Sequence, residues 1–137
     1  MIGVEACGIC GTDIHGFEGD LAIARYPLVP GHEFCGEVMA VGAEVRNLKT
    51  GDFVAVDPSL FRGRCRFCRD GRFNLCENWN AIGITRNGGF AELVVVPAAN
   101  AFPLPDDLSR GFGTLVSRWP APSTVSTRST RVWPAVT

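Results

Sequence analysis

Apolar positions in this chain fall in short runs cut by glycine and proline, and little of the pattern follows a helical period. Gly3-Val4-Glu5-Ala6-Cys7 reads as the tail of a strand. Cys10-Gly11-Thr12-Asp13 reads as a tight turn into a short helical or irregular stretch ending near Asp20. Residues 26–31 are extended, because Pro27 and Pro30 forbid a helix. Residues 34–41 and 52–57 have strand character, with Lys49-Thr50-Gly51-Asp52 as the turn between them. Residues 58–80 form a loop too long to be an ordinary connection, residues 89–97 read as another strand, and residues 102–105 are extended again. The sum is a mostly β domain of barrel type up to Leu108.

From Ser109 the pattern stops. Residues 109–137 hold four arginines, two tryptophans and three prolines, with many Ser and Thr and no acidic residue. One reading is a disordered basic tail.

Composition narrows the function classes. At 137 residues, 46% of them apolar, the chain has room for one domain with a modest core. A net charge of −1 gives no global pull toward nucleic acid or an acidic membrane. No apolar run approaches the roughly 18 residues of a membrane span. Glu5 interrupts the start before any leader-like stretch, so the expected compartment is cytoplasmic. Six cysteines in that setting favour metal ligation over disulfides. Cys7 and Cys35 stand among apolar residues and read as small buried hydrophobes.

Two groups of residues carry chemistry. In Gly31-His32-Glu33, His32 can offer a ring nitrogen to a metal and Glu33 can ligate or hold a ligand in place. Cys10-Gly11-Thr12-Asp13-Ile14-His15 upstream adds a thiol, a hydroxyl and a second imidazole. Thr12 reads equally as a turn-stabilising hydroxyl or as a proton carrier. The second group is Cys65-x-x-Cys68 with Cys76 following, a zinc-lobe signal because paired thiolates close one edge of a tetrahedron. Arg62, Arg64, Arg66, Arg69 and Arg72 surround it. They read as a solvated loop balancing thiolate charge, since no aromatic platform supports nucleic-acid contact.

These residues together resemble the catalytic zinc domain of the zinc-dependent medium-chain alcohol dehydrogenases, in the polyol, butanediol or threonine dehydrogenase-like branch. Gly31-His32-Glu33, two residues, Gly36, five residues, Gly42, two residues and Val45 fit the zinc signature of that family. Gly51-Asp52, the cysteine loop and Gly89-Phe90-Ala91-Glu92 follow in its order, so the resemblance covers residues 3 to about 108. It implies a GroES-like, partly open β-barrel with few short helices. It implies Cys10 and His32 as ligands of a catalytic zinc, Glu33 as an exchangeable further ligand, and a proton relay through Thr12 to His15. It also implies a structural zinc lobe of Cys65, Cys68 and Cys76, whose fourth ligand position here is Arg62; occupancy of that lobe is left open.

The reaction of the family, oxidation of a small alcohol or polyol by NAD(P), needs a doubly wound cofactor domain. Its Gly-x-Gly-x-x-Gly fingerprint is not found here, and Gly111-Phe112-Gly113 lacks the third glycine. The first strands of the family would precede Val4. Read two bases late with synonymous codons free, Val116 through Thr127 can encode Glu-Pro-Leu-Ala-Cys-Ala-Val-His-Gly-Val-Asp, the segment that the family would carry next. Residues 109–137 are accordingly expected to be frameshifted. The expectation is a dehydrogenase fragment inactive by itself; the alternatives are a small zinc-binding β module acting through a partner, or a non-functional truncated product. Neither nucleic acid nor membrane is expected as a partner, and oligomeric state is not legible.

Overall fold

The computed structural model describes residues 1–105, 108 and 112–114. Apart from 112–114, the expected frameshifted tail lies outside the described residues. Among the described residues the elements follow one another as β1 (Ile2–Gly8), α1 (Gly11–Glu18), β2 (Glu33–Val38), β3 (Phe53–Val56), β4 (Ser59–Leu60), α2 (Arg66–Arg69), β5 (Asn80–Ala81), β6 (Leu93–Val94) and β7 (Ala101–Pro103). Single 3₁₀ turns occupy Phe73–Leu75 and Ala98–Asn100.

Five strands form an antiparallel sheet in the order β6-β1-β2-β3-β7, and β4 pairs with β5 in a separate ribbon. The sheet does not close on itself, which matches the partly open barrel with few short helices expected above. Ile2, Phe34, Val38, Val54, Val56, Ile82 and Val94 meet in its core, where Phe34, Val54 and Val56 are wholly buried. Burial of each such side chain contributes about 1.5–3 kcal/mol. Cys35 is buried, and Cys7 packs half-buried against this cluster.

The ladder between β1 and β2 is the longest among the described residues, and it is what places the candidate site residues. It runs from Ile2 opposite Val38 to Gly8 opposite Glu33, with a register shift between Val4 and Ala6. Cys10 follows the end of β1 and His32 precedes the start of β2, so antiparallel pairing delivers both to the same end of the sheet. At the middle of the ladder Gly36 packs so closely that a Cβ there would overlap the carbonyl of Gly3. Behind His32, Gly31 takes a left-handed conformation (φ 93°). Its carbonyl accepts from the Gly89 N–H at 2.8 Å, and a Cβ on either Gly83 or Gly88 would overlap that carbonyl.

Elements at the edges are shorter than the hydrophobic pattern suggests. Only Leu93–Val94 of residues 89–97 is strand, because β6 borders β1 alone and Val95, just past its end, is 79% exposed. Residues 58–80 are not an unstructured loop but a compact lobe containing β4, α2 and a 3₁₀ turn, with the Phe61 and Phe73 rings stacked 4.3 Å apart. Among the described residues no helix is long and apolar enough to cross a membrane.

Candidate metal centre

Helix α1 and the candidate centre begin at the same residue. Cys10 is the N-cap of α1: its Sγ accepts from the Thr12 N–H at 3.3 Å, and its own N–H donates to Asp13 Oδ2 at 2.9 Å. This reciprocal pair is a capping box in which a thiol replaces the usual hydroxyl. The helix stops at Gly19, whose left-handed conformation (φ 87°) closes its last turn. The N-terminal end of the helix macrodipole therefore faces Cys10.

His32 reaches the same point from β2. Its Nε2 lies 3.2 Å from Cys10 Sγ. A tetrahedral zinc with ordinary Zn–S and Zn–N bonds would set these atoms about 3.6 Å apart, so an ion fits with a shift of a few tenths of an ångström. The His32 ring is buried, and its Nδ1 has no aligned hydrogen-bond partner. Asp13 Oδ1 sits 3.4 Å from that nitrogen, with the two side chains only 11% and 7% exposed. Ion-pair distance without hydrogen-bond alignment describes a contact that small ring rotation would complete. A proton held on Nδ1 by the carboxylate leaves the Nε2 lone pair pointing at the thiol, which is the tautomer a metal ligand needs.

Asp13 is the clustered residue that the sequence reading missed, treating it only as part of a turn. Cys10, Asp13 and His32 lie close enough to share one ion. Both Asp13 oxygens face partners within the cluster, Oδ2 the Cys10 N–H and Oδ1 the His32 ring. Its signal was local: an acidic residue three positions after a candidate N-cap.

The other expected residues are placed differently. Glu33 opens β2 opposite Gly8 and is not among the three clustered side chains. Thr12 is half-buried and lines a cleft of about 240 Å³ with Asp13, Gly16, Phe17, Tyr26 and Ile84. His15 lies on the outer face of α1, 63% exposed, with Nδ1 3.9 Å from Glu18.

In the lobe the three cysteines do converge. Cys65 Sγ and Cys68 Sγ are 3.4 Å apart, and Cys76 joins them within 4.8 Å. Arg62 contributes its backbone N–H, which donates to Cys76 Sγ at 3.4 Å. The Cys65 thiol is drawn down to about 7, chiefly by the backbone N–H of Glu77 and then that of Cys68. Burial holds Cys68 above the ordinary thiol range. Away from both clusters, burial pushes the Cys7 thiol up to about 11 and raises Cys35 as well, as befits packing residues.

Residues 1–106 match the sequence profile of the alcohol dehydrogenase GroES-like domain. The chain belongs to that family. The GroES-like domain is 45% identical over 112 residues to L-threonine 3-dehydrogenase of Shewanella sp. (strain ANA-3), a match covering 80% of this chain and 33% of that protein. Its fold superposes with a TM-score of 0.80, at 47% identity, on a protein assigned as a zinc-binding dehydrogenase from Sinorhizobium meliloti 1021 bound to NADP. That alignment covers 83% of this chain and 33% of the other. Galactitol-1-phosphate dehydrogenase from Escherichia coli superposes at TM-score 0.79 and 37% identity, over 84% of this chain and 33% of its own. The GroES-like domain thus spans about a third of the length of the relatives it matches.

Proposed function

We propose that this chain is the metal-holding part of a zinc-dependent, NAD(P)-linked alcohol or polyol dehydrogenase, with Cys10 and His32 as ligands of the catalytic ion. The observation that carries the reading is the 3.2 Å approach of Cys10 Sγ to His32 Nε2, with the Asp13 carboxylate behind the ring. A thiolate and an imidazole suit a borderline-soft ion, and two such ligands leave coordination positions for substrate. Zinc bound there supplies Lewis acidity that lowers the pKa of an alcohol hydroxyl.

The chain's own residues do the rest. Asp13 holds the His32 tautomer, and the cap holds the Cys10 sulfur at the N-terminus of α1. Thr12, two residues from the thiolate, accepts the hydroxyl proton and passes it toward solvent. His15 on the exposed face of α1 is the outer acceptor of that relay. Glu33, beside His32, would be a further, exchangeable carboxylate ligand of that ion. The nicotinamide is held by a domain outside this chain, as expected for relatives three times as long. The relatives support a small alcohol, amino alcohol or polyol phosphate as the substrate class.

Zinc content measured by atomic emission tests the assignment. The Cys10→Ser and His32→Ala chains should each hold one zinc fewer than the parent while keeping the parent's circular dichroism spectrum. Unchanged zinc content in both folded variants would overturn it.

A further inference from the structure

The lobe on residues 59–81 carries a site of different character. We propose that Cys65, Cys68 and Cys76 form a three-thiolate metal site whose fourth coordination position is open and takes a small anionic thiol from solution. The proposal is independent of the Cys10–His32 centre.

The geometry meets the needs of an ion on three sides. Tetrahedral zinc at ordinary Zn–S distances sets its sulfurs about 3.8 Å apart. Cys65 Sγ and Cys68 Sγ stand at 3.4 Å, and all three sulfurs lie within 4.8 Å of one another. The lobe is braced for this without metal. The Phe61–Phe73 stack ties its two limbs, Arg66 pairs with Glu77 at 3.4 Å, and the Arg66 guanidinium lies over the Phe67 ring.

Among the described residues no further Cys, His, Asp or Glu joins the three thiols. The residue that approaches is Arg62, through a backbone N–H that donates to Cys76 Sγ. An arginine side chain has no lone pair to give and keeps its proton at any accessible pH. Zinc sites closed by four protein ligands are structural, whereas three protein ligands leave a position for an exchangeable one.

Charge selects what enters. Three thiolates and one divalent ion sum to −1, while residues 62–77 that carry them hold five arginines against two acidic residues, Asp70 and Glu77. A thiolate that also bears a carboxylate gains from these guanidinium groups, and one bearing an ammonium does not. Entry of the thiol displaces one water and releases the thiol proton to solvent, with no change of oxidation state.

Cobalt(II) is the spectroscopic probe, used in the full chain carrying Cys10→Ser so that only the lobe gives sulfur-to-cobalt charge transfer. The chain should take up cobalt, and thioglycolate should raise that absorbance by about one third as three thiolates become four. Cysteamine, the cationic thiol, should need a higher concentration for the same rise. Adding Arg62→Cys should give the higher absorbance unaided and abolish the thiol response. Absence of charge transfer, no rise with either thiol, equal or better binding of cysteamine, or a persistent response in a folded Arg62→Cys chain would each overturn the proposal. If Arg62→Cys does not fold, the thiol titrations decide alone.

Discussion

Replacing Asp13 by asparagine isolates the orienting carboxylate with almost no change of shape. In the native chain Oδ2 accepts the Cys10 N–H at 2.9 Å while Oδ1 faces His32 Nδ1 at 3.4 Å. Both jobs require an acceptor, and asparagine has only one carbonyl oxygen. If that oxygen keeps the cap, the amide NH₂ meets Nδ1 and forces the ring proton onto Nε2, the atom that faces Cys10. If it keeps the ring, the cap loses its partner. Loss of an outer partner of a ligating histidine costs about 10–100-fold in metal affinity, or about 1.4–2.8 kcal/mol. Asp13→Ala removes both contacts and adds the loss of a charge-assisted hydrogen bond, about 1.5–3 kcal/mol of fold stability. The assay is zinc competition against a chromophoric chelator, in a Cys65→Ser/Cys68→Ser background that silences the lobe. Thermal melts are followed in parallel, and ¹⁵N chemical shifts of His32 report the tautomer. A folded Asp13→Asn chain that binds zinc within about twofold of its parent, with the ring proton still on Nδ1, would refute the orienting role.

Further outcomes follow from other parts of the structure. In the metal-free chain Cys65 should react with iodoacetamide with a midpoint near pH 7, while Cys7, pushed up to about 11, stays inert through pH 9. Because the folded Cys65 value lies below the ordinary 9.0, its contribution to stability is complete above pH 9, falls as pH drops and is gone below about 7. Equal alkylation of the two thiols at pH 8 would contradict this. Phe34→Ala, at a side chain with no exposure, should lower unfolding free energy by about 3–5 kcal/mol in urea titrations. Gly36→Ala should cost about 3 kcal/mol or more, since its methyl group collides with the Gly3 carbonyl across the main ladder. Lys49→Ala, breaking a 2.6 Å ion pair whose lysine is 84% exposed, should change stability by no more than about 0.5 kcal/mol.

What could be seen from residues alone divides along physical lines. β2 and β3 were visible because both are buried runs bounded by glycine and charge, although β2 ends at Val38 rather than residue 41. Beyond Val38 the chain still bonds to the Met1 carbonyl, but Met39 and Val41 face solvent, so apolar content overstated the strand. β6 was overstated for the matching reason, being paired on one side alone. The nearness of Cys10 to His32 was suggested only by resemblance, since no local pattern joins residues 22 positions apart; the antiparallel register does so in the fold. Asp13 escaped notice because its second contact, to His32, exists only once that register has formed. The lobe was legible as a cysteine cluster but not as a braced unit, because its α2 is four residues long and its ribbon has two residues per strand.

The backbone stack behind His32 limits how this centre can be altered. Gly31, Gly83 and Gly88 meet main chain to main chain, leaving no room for any side chain between them. The main chain that leads into His32 is therefore packed against peptide, and a side chain at Gly83 or Gly88 would first have to displace it. Variation that leaves this packing intact is open along α1, where Ile14 and Phe17 stand clear of the core.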